Sequence, residues 1–151
     1  KENARLGTDQ IAERLGLEED EVRQVIQQCE KDRTIFGYRA LVNPALEPRQ
    51  RVRAVIQVSV QSERDVGFDH IASKISKFPE VTDVILVSGT YDLILMVVGD
   101  DLHEVAEFVA TKLAPMEGIR QHSTHFMLKR YKEAGFRLED GEEYERLSVT
   151  P

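Results

Sequence analysis

With 151 residues, 41% hydrophobic and 31% charged, the chain has the size of one ordinary domain or two small ones and the composition of a folded soluble protein. No apolar run approaches the roughly 18 residues of a membrane-spanning helix. Residues 1–10 lack the apolar core of a secretory signal, and the lone Cys29 excludes an internal disulfide or a cysteine-built metal site, so a reducing cytoplasm is the expected compartment and no membrane partner is expected.

The net charge of −7 is high for a nucleic-acid binder, but it is unevenly placed. Residues 1–51 hold nine Lys/Arg and ten Asp/Glu, whereas residues 52–151 hold eleven and seventeen. Any DNA contact therefore belongs to the first part, where Arg33, Arg39, Arg49 and Arg51 gather, with Arg53 just beyond. In residues 8–15, Ile11, Ala12 and Leu15 share one helical face; Thr8 is the expected N-cap, and Gly16 ends the helix in a left-handed conformation. A second helix is predicted from about Glu18 to Asp32, with Val22, Val25, Ile26 and Cys29 as its apolar stripe. Residues 34–42 read as extended, and Pro44 and Pro48 mark 43–51 as a hinge.

From Val52 the pattern changes to alternating strands and helices. Val52, Ala54, Ile56, Val58 and Val60 line one face of a strand over 52–60. A helix over 66–77 turns Ile71, Ala72 and Ile75 inward, with Phe78 closing its end and Pro79 stopping it. Two β-rich runs, 81–88 and 91–98, flank Gly89-Thr90, a hairpin signal. A helix over 101–113, capped by Asp100 or Asp101, and a last strand over 119–130 complete the order βαββαβ, the ferredoxin-like arrangement of an α+β fold. Residues 133–151 form a charged tail in which Leu147 and Val149 can pair with an edge strand. In residues 93–98 both strand faces are apolar, yet two helices cover only one face of a sheet, so a homodimer joined through the other face is expected.

The run Asn3-Ala4-Arg5, Ile11-Ala12-Glu13-Arg14-Leu15-Gly16-Leu17, Val22 and Ile35-Phe36-Gly37-Tyr38, followed by a βαββαβ domain carrying Ser88-Gly89-Thr90-Tyr91-Asp92, resembles the Lrp/AsnC (feast/famine) family from Asn3 to about Lys132. The resemblance implies a winged helix-turn-helix over 1–42, a hinge, and an effector-binding and dimerisation domain over 52–132. It also implies a transcription regulator with double-stranded DNA and a small effector, usually an amino acid, as partners, and assembly into dimers and octamers. No enzyme activity and no cofactor follow from it. In that family the helix-turn-helix begins with a further apolar helix, and Ile11, Leu15, Val22 and Ile26 need such cover, so an amphipathic segment is expected ahead of Lys1.

On the second helix Arg23, Gln24, Gln27 and Gln28 are the candidate base contacts, with Arg33 and Arg39 on phosphates. The run Glu18-Glu19-Asp20-Glu21 opposes phosphate and, among base edges, pairs most readily with a cytosine amino group. It keeps open the alternative of an amino-acid-sensing oligomer whose helix-turn-helix no longer binds DNA, and it equally suits carboxylates at a helix start. The effector candidates are Ser88, Gly89, Thr90, Tyr91 and Asp92, joined by Gln121, Ser123 and Thr124. A zwitterion needs N–H donors for its carboxylate, which a glycine turn offers, and an acceptor for its ammonium, which Asp92 offers; the bland alternatives are a plain hairpin turn and a structural cap. His122 and His125 stand three apart on a strand, facing opposite sides, so no metal site is expected. Neither a nucleophile–base pair nor a Gly-rich phosphate loop is legible.

Overall fold

The computed structural model describes residues 3–43, 46, 51–61 and 67–138, in two compact units, residues 1–42 and 43–151. Most of the segment 43–51, and Leu147 and Val149, lie outside the described residues. No helix among those described is long and apolar enough to cross a membrane.

In the first unit α1 (Thr8–Leu15) and α2 (Glu19–Lys31) are joined by a three-residue turn that opens with Gly16 at φ 67, ψ 34. The expected Thr8 cap is corrected: Gly7 is the N-cap, its N–H reaching Gln10 Oε1 at 3.3 Å, while the Thr8 hydroxyl crosses to Glu19 Oε1 at 2.7 Å. Ala12 and Val22 are buried between the helices, but Leu15 and Val25 remain 64% and 56% exposed, so two helices alone leave much of the apolar stripe uncovered. Residues 34–43 run without strand pairing among the described residues. Ile35 N–H instead bonds to the Cys29 carbonyl at 2.9 Å, and Tyr38 Oη donates to Glu30 Oε1 at 3.0 Å.

The second unit is an antiparallel sheet of β1 (Val52–Val60), β2 (Val81–Leu86), β3 (Leu93–Gly99) and β4 (Ile119–Phe126) in the order β2-β3-β1-β4. With α3 (Gly67–Ile75) after β1 and α4 (Leu102–Phe108) after β3, this is the ferredoxin-like topology. Period-2 alternation fixes the faces: Ala54, Ile56, Val58, Leu93, Leu95 and Val97 are buried beneath the helices with Ile71, Ile75, Val105, Phe108 and Leu113. On the opposite face Val55, Ile94, Met96 and Val98 are half-buried and have no helix over them.

Three local features differ from the sequence pattern. The 101–113 helix is α-helical only to Phe108 and finishes as a π-helical turn over Val109–Leu113, closed by Ala114 N–H on the Val109 carbonyl at 2.8 Å. Its N-cap is Asp101, whose Oδ1 accepts from Glu104 N–H at 2.8 Å. β4 ends at Phe126, and the segment behind it forms a short hairpin of β5 (Lys132–Glu133) and β6 (Phe136–Arg137). Gly118 precedes β4 at φ 90, a backbone that favours glycine, and a Cβ there would have to displace the tip of Ile71, whose Cδ1 lies 2.5 Å away.

Lys112, on the π-helical turn, hydrogen-bonds Glu80 and lies 5.9 Å from the centroid of the Phe78 ring, itself edge-on to Phe108 at 5.6 Å. Burial alone would push the Glu80 carboxyl up, but the hydrogen bond from Lys112, one from its own backbone N–H and the Lys112 charge together outweigh it and hold the group below its ordinary 4.5. A depressed folded value means the pair stabilises fully above pH 4.5 and loses its effect as the pH falls from there through the folded value. Glu80 Oε2 is buried with no partner, so removing the ammonium would strand a carboxylate. Lys112→Met should cost about 1–2 kcal/mol at pH 7, kept modest because Lys112 is partly solvated. In urea melts that difference should shrink toward pH 3; a constant difference would refute the assignment.

Candidate functional site

Two groups of residues have the exposure and chemistry for binding, one in each unit. On α2 the side chains of Arg23, Gln24, Gln27 and Gln28 are all exposed. Arg23 is not free: Nη2 donates to Glu19 Oε1 at 2.7 Å and Nη1 lies 3.6 Å from Asp20 Oδ1. The Glu19 carboxyl is held below its usual range by the Thr8 hydroxyl and then by Arg23. Arg33 adopts a left-handed φ of 61 and places its guanidinium 5.9 Å from the Phe36 ring centroid. Arg39 is exposed. Gln24 and Gln27 thus stand ready as neutral donors and acceptors, while Gln28 shares a hydrogen bond with Asp32 and the helix's one arginine is partnered within its own first turns.

In the second unit the turn between β2 and β3 is not the two-residue hairpin that Gly89-Thr90 suggested. Pairing stops at Leu86–Leu93, and residues 87–92 form a wider loop closed by Val87 N–H on the Asp92 carbonyl at 2.9 Å. Gly89 takes φ 144, a conformation side chains other than glycine rarely adopt, so it sets the course of the loop. Asp92 anchors it. Its N–H donates to the Val58 carbonyl at 3.0 Å, and its Oδ2 accepts from Val60 N–H at 2.8 Å. The carboxylate therefore occupies the ladder position where β3 has ended and β1 still offers a donor. Ser88, Gly89 and Thr90 are exposed, and Tyr91 and Asp92 half-buried.

The loop lies at the end of the sheet where β4 begins, because Val58 pairs with both Leu93 and His122. Gln121 pairs with Ser59, so Asp92 and Gln121 flank β1 at Val58–Val60 from its two sides. The remaining predicted residues divide. Ser123 pairs with Gln57 on the face without helices, like Gln121. Thr124 pairs with Ile56 on the helix-covered face, so it does not join them. Ser59 is the residue that reading the sequence missed: it is half-buried, on the same face as Gln121, between that residue and the Asp92 anchor. The signal was present, since Ser59 breaks the apolar face of no strand and sits on the polar alternation of 52–60. His122 and His125 fall on opposite faces, and no group of three His, Cys, Asp or Glu among the described residues can hold a metal ion. Ser123 Oγ and His125 Nε2 are 3.2 Å apart.

The family model for the Lrp/AsnC ligand binding domain matches residues 53–135. The uncharacterized HTH-type transcriptional regulator YugG of Bacillus subtilis is 37% identical over 151 residues, covering 99% of this chain and 91% of that protein. The leucine-responsive regulatory protein of Haemophilus influenzae is 26% identical, over 89% of this chain and 80% of its own length. Among solved structures, a transcriptional regulator from Neisseria meningitidis in complex with L-Met superposes with a TM-score of 0.67 at 26% identity, over 87% of this chain and 84% of that one.

Proposed function

The chain belongs to the Lrp/AsnC family of transcription regulators, and from that premise we propose that it binds double-stranded DNA through α2 and takes an amino acid at the 87–92 loop as its effector. The observation that carries the effector reading is the Asp92 carboxylate: Oδ2 is fixed by Val60 N–H, which leaves Oδ1 as a second acceptor at the loop. Exposed backbone N–H groups at Ser88, Gly89 and Thr90 suit the ligand's carboxylate, Oδ1 its ammonium, and Tyr91 walls the side chain. Ser59, Gln121 and Ser123 supply neutral hydrogen bonds on the adjoining strands. No Lys or Arg stands in 87–92, which disfavours phosphate. The complex of the Neisseria regulator with L-Met supports an amino acid as the ligand class.

The sheet face carrying Val55, Ile94, Met96 and Val98 is the dimer interface in this reading, and the effector acts by favouring one assembly of the heads over another, which requires unequal affinity for the two. Calorimetric titration of the full chain with each proteinogenic amino acid should show binding by one or a few, and the same compounds should change its DNA affinity. Heat from none of them and no effect on DNA would refute the effector reading. The neutralised Arg23 favours a second reading, a sensor that has lost DNA binding; retention of DNA at low salt decides against it.

A further inference from the structure

The arrangement around Arg23 deepens the DNA-binding reading and rests on it. Glu19 is held from two helices, accepting at one oxygen from Thr8 Oγ1 of α1 and Arg23 Nη2 of α2, both at 2.7 Å. Arg23 in turn is held one turn along the helix, with Asp20 3.6 Å from its other terminal nitrogen. We propose that Glu19 is a specificity-determining positioning residue, which withholds Arg23 from DNA phosphates and reserves it for the major-groove edge of a G·C pair.

The argument is one of competition between anions. In a helix-turn-helix the N-terminal turns of the second helix enter the major groove, so an unpaired arginine there meets phosphates of any sequence first. A phosphate that meets Arg23 also meets the Glu19 carboxylate beside it, so the pair presents no net positive charge to the polyanion. At a base edge the pair need not part. The guanidinium has five N–H donors, and Glu19 engages one of them. Others remain for guanine N7 and O6, and the second Glu19 oxygen can accept from the N4 amino group of the paired cytosine. An A·T pair offers its donor and acceptor in another order, and a thymine methyl would press on the carboxylate. The four-carboxylate run Glu18–Glu21 thereby acquires a division of labour: Glu19, with Asp20 at longer range, positions the arginine, and Glu18 and Glu21 raise the general cost of approaching phosphate.

Fluorescence anisotropy with a random-sequence DNA duplex, across a salt series, tests this on the full chain. Glu19→Gln keeps an acceptor for Thr8 but frees Arg23, so non-specific binding should tighten several-fold near ~0.1 M salt, and the slope of log K on log salt should steepen by about 0.9, one added phosphate contact. Glu21→Gln removes the same charge outside the pair and should leave the slope unchanged. Adding Arg23→Ala to Glu19→Gln should abolish the extra slope. Selection from a random duplex pool should enrich a G·C pair at one half-site position with the wild type and relax it with Glu19→Gln. Equal slopes for the Glu19 and Glu21 variants, or a G·C preference that survives Glu19→Gln, would overturn the inference while leaving the DNA-binding reading in place. A wild type that holds no DNA even at low salt would overturn both.

Discussion

Asp92→Asn should weaken amino-acid binding by roughly 10- to 100-fold while leaving the thermal midpoint near that of the wild type. The substitution separates two roles that one carboxylate combines. Asparagine retains a carbonyl oxygen for Val60 N–H, the bond that ties the 87–92 loop to β1. It loses the negative charge proposed to face the ligand's ammonium, and a hydrogen bond to a charged group contributes about 1.5–3 kcal/mol. Asp92→Ala removes both roles, so it should additionally cost about 1–3 kcal/mol of stability, the penalty of a half-buried N–H without an acceptor. Calorimetry and thermal melts on the two variants give four numbers. Unchanged affinity in Asp92→Asn would mean that Asp92 is a cap alone, and the ligand would have to be placed elsewhere.

Met96→Glu should convert a dimer into a monomer at micromolar concentration. Met96 pairs with Val55 at the middle of the sheet face that lacks helices, between Ile94 and Val98. Two-fold symmetry would set two such carboxylates into one apolar interface, each desolvated without a cation, at a cost of several kcal/mol. That corresponds to a dissociation constant weaker by about a thousandfold or more. Within the protomer the side chain points away from the core built on Leu95 and Val97, so circular dichroism should hardly change. Sedimentation velocity reads the outcome, and a Met96→Glu protein that still sediments as the wild type would show that subunits meet through another surface.

What the sequence disclosed and what it concealed follow from the range of the interactions involved. The alternation in 52–60 and the apolar run 93–98 locate β1 and β3, because a period of two is a local property of the chain. The doubly apolar character of β3 likewise reveals that one sheet face is uncovered. The anchor of Asp92 is invisible at that level: its partner Val60 lies 32 positions earlier, and only the register of β1 against β3 brings them together. The same holds for Thr8, which has the right chemistry for a cap yet bonds to Glu19, 11 positions on. The width of the 87–92 loop was obscured because Gly-Thr is a good two-residue turn, whereas the observed loop is set by Asp92 competing for the backbone of β1. Thr124 was grouped with Gln121 and Ser123 by proximity in sequence, and strand alternation sends it to the other face. The π-helical turn left no mark, since one extra residue in a helix's last turns does not disturb an apolar stripe already at its end.

The strand order carries a further consequence for how the protein is made. β1 is among the first elements of its unit to leave the ribosome, yet it lies inside the finished sheet, with β3 on one edge and β4 on the other. On its β4 edge Ala54 meets its partner only in Phe126, 72 positions later. At synthesis rates of about 5–20 residues per second this edge of β1 stays unpaired for roughly 4 to 14 s after it emerges. During that time an extended, largely apolar strand offers its backbone to any neighbouring chain. Nascent copies translated side by side are thus exposed to mispairing until β4 arrives, and transcripts that stop short of Ile119 should yield aggregates rather than soluble fragments.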